Sequence, residues 1–237
     1  MEETYIRHVE ATGGYLVAGS FQHYFRDAWF DPGFWGVRAA PVTKGGRGAA
    51  WFIRKDSGDL VLRHFCRGGV PGHFLRRGYV YTRADAVRSF AEFRLLNKLH
   101  SKGLPVPEPV AAGFRRSGLV FYHASIIVRR IPNARPLSEF ASVDDLEVWR
   151  EAGACVRRFH NAGVCHADLN CMNILVSDQV YLIDFDRGRI KSSREGDGWR
   201  LSSISRLERS VNKCLVELGA GEREQLWQAL LSGYQSA

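Results

Sequence analysis

The chain has 237 residues and a mass of 26.7 kDa, enough for one large domain or two small lobes. Hydrophobic residues make up 45% and charged residues 24%, a composition that excludes a disordered or fibrous chain. The formal net charge is +8, and residues 63–135 concentrate the excess, with 14 basic and three acidic side chains. Such a segment is typical of a surface that meets nucleic acid, an anionic membrane or a phosphorylated substrate.

Neither export nor membrane insertion is expected from the sequence. The longest nearly apolar stretch, Leu119–Val128, is much shorter than the roughly 20 residues that cross a bilayer. The first residues, Met1–Thr4, are acidic and lead into no apolar signal-peptide core. Five cysteines without a C-x-x-C pair predict neither a disulfide framework nor a zinc site, so a reducing cytoplasmic compartment is expected.

The first half of the chain predicts strands followed by a helix. Ala49–Arg54 and Leu60–Phe65 are rich in strand-forming residues and flank a polar turn, which indicates an antiparallel hairpin. Apolar residues then recur at helical spacing over Arg83–Lys102, and Gly103 is expected to end this helix. Leu119–Arg130 is predicted to form another strand.

The second half predicts helices around two short strands. Two prolines in Ile131–Pro136 indicate a connector between lobes. The elements expected after it are a helix over Val143–Asn161, strands over Cys171–Val176 and Gln179–Asp184, and helical structure from about Ser202 onward with a break at Gly219–Gly221. We therefore expect an α+β fold with an N-terminal lobe over residues 1–131 and a smaller, mostly helical C-terminal lobe over residues 132–237.

The most informative segment is HADLNCMNIL, which begins at His166, followed by LIDFD around Asp184. Phosphoryl transfer from ATP needs a carboxylate that accepts the proton of the attacking hydroxyl. It also needs an amide oxygen and a second carboxylate to hold Mg²⁺ against the phosphates. The spacing predicts Asp168 as the base, Asn173 and Asp184 as metal ligands, and His166 as a residue that fixes the loop.

These residues match the kinase pattern H-x-D-L-x-x-x-N followed by D-F-x. The departure is Asp186, which stands where kinases have a glycine after the phenylalanine. The competing interpretation is an Asp/Asn-rich turn whose side chains only cap backbone groups. Such a turn would not require the upstream residues that are also present.

Those upstream residues are candidates for binding ATP. Lys44, Gly45, Gly46 and Gly48 belong to a glycine-rich turn whose backbone N–H groups could cover phosphates, although a plain hairpin turn has the same composition. Arg63 stands in Leu60-Val61-Leu62-Arg63 at the position of the lysine in the kinase V-A-I-K strand. Glu92, on the following helix, is expected to pair with that cation, and Lys44 is an alternative phosphate ligand.

The length of the chain after Asp184 restricts the substrate class. Only 53 residues follow Asp184, and no A-P-E motif is among them. This is too short for an activation segment and a peptide-binding lobe. A compact small-molecule or carbohydrate kinase is therefore favoured over a protein kinase.

The runs GGRGAAWF, LVLRHFCRGG, SFAEFRLLNKLHSKGLPVPEPVAA and HADLNCMNIL…VYLIDFDRGRI closely resemble the family of lipopolysaccharide core kinases of Gram-negative bacteria, in particular those that act on 3-deoxy-D-manno-octulosonic acid (Kdo). The resemblance covers roughly residues 30–210. It implies a compact, protein-kinase-like two-lobe fold, ATP and Mg²⁺ as cofactors, and phosphate transfer to the 4-hydroxyl of Kdo on a lipid A precursor. It also implies a peripheral location at the cytoplasmic face of the inner membrane and the roles given above for Asp168, Asn173, Asp184, Arg63, Glu92 and the glycine-rich turn.

The resemblance also implies a partner for the basic segment, because lipid A precursors and the inner leaflet are anionic. Five arginines are expected to face the membrane or the acceptor headgroup: Arg67, Arg76, Arg77, Arg83 and Arg88. Nucleic acid is disfavoured, since the segment lacks the interleaved exposed aromatics of a single-strand platform. A heptose kinase, an aminoglycoside-type phosphotransferase and a catalytically inactive nucleotide- or membrane-binding protein of the same fold remain alternatives.

Overall fold

The computed structural model describes residues 5–42, 50–66, 78–192 and 195–237. The chain divides into two compact units. The first consists of Met1–Ser101 and Glu108–Arg130, and the second of Lys102–Pro107 and Ile131–Ala237. Lys102–Pro107 groups with the second unit, where the carbonyl oxygen of Pro105 accepts a hydrogen bond from the N–H of Leu182 at 3.0 Å.

The first unit is built on an antiparallel sheet of eight strands. Its elements are β1 (Tyr5–Glu10), β2 (Gly13–Ala18), α1 (Pro32–Trp35), β3 (Ala39–Pro41), β4 (Ala50–Ile53), β5 (Leu60–His64), β6 (Tyr79–Val80), α2 (Arg88–Ser101), β7 (Pro109–Ser117) and β8 (Phe121–Arg129). The strand order is β1-β2-β7-β8-β5-β4-β3, and β6 pairs with β8. Helix α2 packs on β7, β8 and β2 through a buried apolar face.

The predicted hairpin and helix are confirmed in this unit. Strands β4 and β5 pair antiparallel, with Ala50 opposite Arg63. Helix α2 begins at Arg88 rather than at Arg83, because Ala84–Ala86 forms a separate 3₁₀ turn. It ends near Gly103, whose φ of 72° is the left-handed conformation typical of a residue after a helix.

Strand β5 places its side chains alternately on the two faces of the sheet. Leu60 and Leu62 are fully buried on one face, whereas Arg63 points to the opposite face, where it meets Glu92 of α2. Strands β1, β2 and β7 were absent from the sequence-based expectation. The sheet therefore extends two strands beyond β7.

The second unit is mainly helical. Its elements are β9 (Arg135–Pro136), α3 (Leu146–Asn161), β10 (Val164–Cys165), β11 (Ile174–Val176), β12 (Val180–Leu182), β13 (Arg189–Ile190), α4 (Gly198–Cys214) and α5 (Ala220–Ser236). Strand β11 pairs with β9 and β12, and β10 pairs with β13. The predicted strand over Cys171–Val176 is shorter than expected, because residues 171–173 form a turn.

Helices α3 and α5 pack with their backbones in direct contact. A methyl group added at Gly153 would lie 1.9 Å from the carbonyl oxygen of Leu230. One added at Gly233 would lie 1.9 Å from the carbonyl oxygen of Arg150. Only glycine fits at either position, so the two helices are held at a distance that their backbones set.

Buried aromatic side chains of α3 complete the core of the second unit. Trp149 and Phe159 are almost completely buried, and the ring of Phe159 stacks on that of Phe185 with the centroids 5.8 Å apart. Phe185 directly follows Asp184, so this core fixes the backbone next to one of the predicted metal ligands. Of the residues that the structure describes, no helix is both long and apolar enough to cross a membrane.

Candidate active site

The loop between β10 and β11 carries the predicted base, and a buried histidine fixes its shape. The Nδ1 atom of His166 accepts a hydrogen bond from the N–H of Asp168 at 3.1 Å. Its Nε2 atom must then carry the proton, which it donates to the carbonyl oxygen of Ile183 at 2.9 Å. His166 therefore joins the backbone of the base to the segment just before Asp184, the structural role that the sequence predicted.

Burial keeps this histidine neutral. His166 is 4% exposed, and burial lowers its pKa below the ordinary value, although the Asp184 and Asp168 carboxylates oppose that shift. A neutral ring can accept at one nitrogen and donate at the other, whereas a protonated ring would lose the hydrogen bond from Asp168. The loop geometry thus depends on a ring that stays uncharged.

Asn170 organises the same loop and was missed by the sequence analysis. Its Oδ1 atom accepts hydrogen bonds from the N–H groups of Met172 and Asn173 at 2.9 and 3.1 Å. Its Nδ2 atom donates to the backbone oxygen of Asp168 at 3.0 Å and to Oδ2 of the same residue at 3.2 Å. An asparagine two residues after an aspartate in a turn is the signal that could have identified it.

The Asp168 side chain is exposed, as a group that receives a proton from a bound substrate must be. Its side chain is 65% exposed, and Asn170 holds Oδ2. The Oδ1 atom lies 3.9 Å from Nη1 of Arg206 on α4. Sequence reasoning did not identify Arg206, because no local spacing connects it with the loop.

Asn173 and Asp184 are brought to neighbouring positions by the β11–β12 hairpin. The N–H of Ile183 donates a hydrogen bond to the backbone oxygen of Asn173 at 3.0 Å. Asp184 is the next residue after Ile183, so it lies close to Asn173. The Nδ2 atom of Asn173 donates to the backbone oxygen of Asp168 at 2.9 Å. This fixes the amide so that Oδ1, the atom predicted to bind the metal, is directed away from that bond.

One amide oxygen and one carboxylate suit Mg²⁺, which usually takes one or two protein ligands and completes its shell with phosphates and water. Two hard oxygen ligands of this kind fit an ion that arrives with a nucleotide. In the described ranges, no group of three or more His, Cys, Asp and Glu side chains forms a metal site.

The segment after β12 shows which residues of the turn around the kinase glycine position have a strained backbone. Asp184 and Arg187 adopt the left-handed conformation, with φ of 63° and 60°, whereas Asp186 does not. The N–H of Gly188 closes the turn on the carbonyl oxygen of Phe185 at 2.8 Å. Asp186 therefore has a backbone conformation that any residue can adopt. The strained conformations are those of Asp184, the predicted metal ligand, and of Arg187.

In the first unit, Arg63 and Glu92 form the pair that the sequence predicted. The Nη2 atom of Arg63 lies 2.6 Å from both carboxylate oxygens of Glu92. Glu92 is 3% exposed and the Arg63 side chain 25%, and the guanidinium also stacks on the ring of Phe65 at 4.7 Å. This pair has the composition of the kinase cation–carboxylate pair, with a guanidinium in place of the ammonium.

Several predicted residues lie outside the described residues. They are Lys44, Gly45, Gly46 and Gly48 of the glycine-rich turn, and Arg67, Arg76 and Arg77 of the basic segment. Two of the five arginines that were expected to face the membrane or the acceptor are described. Arg83 is exposed, whereas Arg88 is half-buried with its guanidinium 4.6 Å from the ring centroid of Tyr79.

Solved structures of kinases share this fold. A structure of WaaP in complex with acyl carrier protein matches with a TM-score of 0.56 and 16% identity, covering 94% of this chain and 89% of that one. The amicoumacin kinase hAmiN matches with a TM-score of 0.60 and 12% identity, covering 84% of this chain and 72% of that one. The α+β, protein-kinase-like fold predicted from the sequence is therefore confirmed.

Sequence comparison gives the particular family. Residues 33–234 match the lipopolysaccharide kinase (Kdo/WaaP) family. The 3-deoxy-D-manno-octulosonic acid kinase of Actinobacillus succinogenes is 39% identical over 219 residues, 88% of this chain and 90% of that protein. The enzyme of the same name from Stenotrophomonas maltophilia is 42% identical over 211 residues, 88% of this chain and 84% of that protein. The chain belongs to the lipopolysaccharide kinase (Kdo/WaaP) family, and the phosphate donor of such a kinase is ATP.

Proposed function

We propose that the chain is an ATP-dependent Kdo kinase of lipopolysaccharide core biosynthesis, which transfers the γ-phosphate of ATP to the 4-hydroxyl of Kdo on a lipid A precursor. The observation that carries the proposal is the loop in which His166 and Asn170 fix Asp168 beside Asn173. The high identity to 3-deoxy-D-manno-octulosonic acid kinases over most of the chain supports the acceptor.

In this proposal Asp168 orients the acceptor hydroxyl and receives its proton. Because Asn170 holds Oδ2, the Oδ1 atom is the one that accepts the proton as the hydroxyl oxygen attacks the γ-phosphorus. Asn173 and Asp184 would hold Mg²⁺, which neutralises charge on the phosphates when it is bound. Arg63, oriented by Glu92, binds nucleotide phosphate, together with the backbone of the 45–48 turn and Lys44.

The proposal includes a peripheral site of action at the cytoplasmic face of the inner membrane. The net charge of +11 over residues 63–135 supports this location, since each basic side chain near an anionic leaflet contributes on the order of 1 kcal/mol. The acceptor is therefore best presented in anionic vesicles. The protein is expected to co-sediment with these vesicles to a greater extent than with neutral ones.

The test is Asp168→Ala, assayed for phosphate transfer from labelled ATP to a Kdo-lipid A precursor in such vesicles. We expect kcat to fall by about 10²–10⁴-fold, the usual contribution of a positioned base. Asp178→Ala, which removes an exposed carboxylate from the turn between β11 and β12, is the matched control and should retain full activity.

Three results would contradict the proposal. Retained turnover in Asp168→Ala would refute the mechanism. Wild-type transfer to a heptose-bearing or aminoglycoside acceptor, with none to the Kdo acceptor, would refute the substrate and support one of the alternatives. A protein that binds ATP but transfers phosphate to none of the acceptors would support the inactive nucleotide-binding alternative.

A further inference from the structure

Arg206 is placed next to the proposed base by a helix that is anchored to the catalytic loop. One turn further along α4, Oγ of Ser210 accepts a hydrogen bond from the N–H of Cys171 at 3.0 Å. Leu207 of the same helix is fully buried. The hydrogen bond joins α4 to the loop, and the burial of Leu207 fixes the face of the helix that points inward, so the position of the Arg206 side chain near Asp168 follows from the packing of the helix.

The contact between Arg206 and Asp168 is too weak to have a structural purpose. A single pair of atoms, Nη1 and Oδ1, approaches to 3.9 Å, and the two side chains are 50% and 65% exposed. Exposed pairs of this kind typically stabilise a protein by only about 0–1 kcal/mol. Within residues 5–42, 50–66, 78–192 and 195–237, no hydrogen bond holds the guanidinium of Arg206, which has five N–H donors to offer.

The guanidinium of Arg206 lies beside the loop that carries the proposed base, and it has N–H donors that the described residues do not use. This geometry favours a ligand for Arg206 that arrives with the acceptor.

We propose that Arg206 binds the carboxylate of the acceptor sugar and thereby selects Kdo. This inference rests on the proposed function. Kdo is an ulosonic acid, whose carboxylate is attached to ring carbon 2 and whose reacting hydroxyl is on ring carbon 4. With that hydroxyl at Asp168, the Arg206 guanidinium, whose Nη1 atom lies 3.9 Å from Oδ1 of Asp168, donates to the carboxylate of the same sugar in a two-point contact. Heptoses and aminoglycosides have no carboxylate, so the contact discriminates against them.

The experiment compares Arg206→Gln and Arg206→Lys with the wild type on two acceptors. One is the Kdo-lipid A precursor, and the other is the same compound with its carboxylate converted to an amide. On the natural acceptor, we expect kcat/KM of Arg206→Gln to fall about 10- to 100-fold, the loss of a charged hydrogen-bonded pair. Most of this loss should appear in KM for the acceptor, with KM for ATP unchanged and partial recovery in Arg206→Lys.

On the amide acceptor, the wild type should drop to the level of Arg206→Gln, and the substitution should cause no further loss. Arg150→Gln is the matched control. Arg150 is 48% exposed and forms an exposed pair with Glu147 on α3, at 2.7 Å, so its loss removes the same charge without touching the loop. It should leave kcat/KM unchanged on both acceptors.

Equal losses of kcat/KM in Arg206→Gln on the two acceptors, or a rise in KM for ATP, would overturn the inference. Arg206 would then be a residue that binds the phosphate of ATP or positions Asp168. Wild-type turnover on the natural acceptor tests the proposed function separately. Its absence would refute that function, and the inference with it, whereas normal wild-type turnover with equal losses refutes the inference alone.

Discussion

Two arginine–carboxylate pairs, one in each unit, differ in nearly every physical respect. Arg63 contacts both oxygens of Glu92 at 2.6 Å, and the carboxylate is almost fully buried. Arg206 approaches one oxygen of Asp168 at 3.9 Å, with both side chains largely exposed. The first pair is part of the folded frame, whereas the second can exchange its partner for a ligand. Burial, more than residue type, separates an ion pair on which the stability of the fold depends from one that contributes little to it.

The largest effect is expected from breaking the buried pair. Glu92→Ala leaves the Arg63 guanidinium without its carboxylate, and loss of one partner of a buried pair typically costs about 3–5 kcal/mol of unfolding free energy. Urea unfolding measures this loss. The double variant Arg63→Met with Glu92→Leu should recover most of the stability but none of the activity, because apolar side chains replace a buried pair well and bind no phosphate.

If Glu92→Ala proved as stable as the wild type, the pair would not be part of the frame. Recovery of activity in the double variant would remove both residues from the proposed ATP site. Either result would show that the two arginine–carboxylate pairs do not differ in the way described above.

A buried histidine tests whether burial also determines the contribution of a charged or titratable side chain to stability in the second unit. His160 is 2% exposed, its Nδ1 atom lies 2.7 Å from the hydroxyl of Tyr234, and its ring packs edge-on against Trp199. Burial, with smaller contributions from Arg200, Arg157 and His166, lowers the pKa of His160 from 6.5 to about 4. The ring is therefore neutral in the folded protein at neutral pH.

Because unfolded His160 binds a proton below about pH 6.5 and the folded residue does so only near pH 4, the unfolded state holds more protons in between. Stability should therefore be complete above pH 6.5, fall by roughly 3 kcal/mol as the pH decreases to 4, and change no further through this group below that. His160→Gln can keep a hydrogen bond to Tyr234 and should flatten this part of the profile in urea unfolding. An unchanged profile in His160→Gln would contradict the prediction.

The smallest effect is expected from the exposed pair. Arg206→Gln should change the free energy of unfolding by less than about 1 kcal/mol, even where it lowers kcat/KM for the acceptor. A double-mutant cycle with Asp168→Asn should give a coupling energy in the same small range. A coupling of several kcal/mol would show that the pair belongs to the frame, like Arg63 and Glu92.

The sequence predicted which candidate site residues lie close together better than it predicted the elements that hold them. Asp168, Asn173 and Asp184 follow a short spacing that a loop and a hairpin impose, so their proximity can be deduced locally. Arg206 has no such spacing, because only the packing of α4 through Leu207 and Ser210 brings it to the loop. Asn170 lay inside the motif but at a position that the pattern leaves open.

The missed strands show a second limit. β1 is exposed at most of its positions, so it lacks the alternation of buried and exposed residues that marks a strand. β7 begins with Pro109 and contains two alanines and a glycine, residues with little intrinsic preference for strands. It is a strand because β2 and β8 pair with it on both sides, which is information that its own sequence does not contain.

The contact between α3 and α5 has a consequence for how the protein tolerates change over evolution. Gly153 and Gly233 touch no substrate, yet every other amino acid would force a Cβ atom into the opposing backbone. In a survey of substitutions that lower the amount of folded protein, both positions would be among the most sensitive, because their variants would be lost from the cell as unfolded protein.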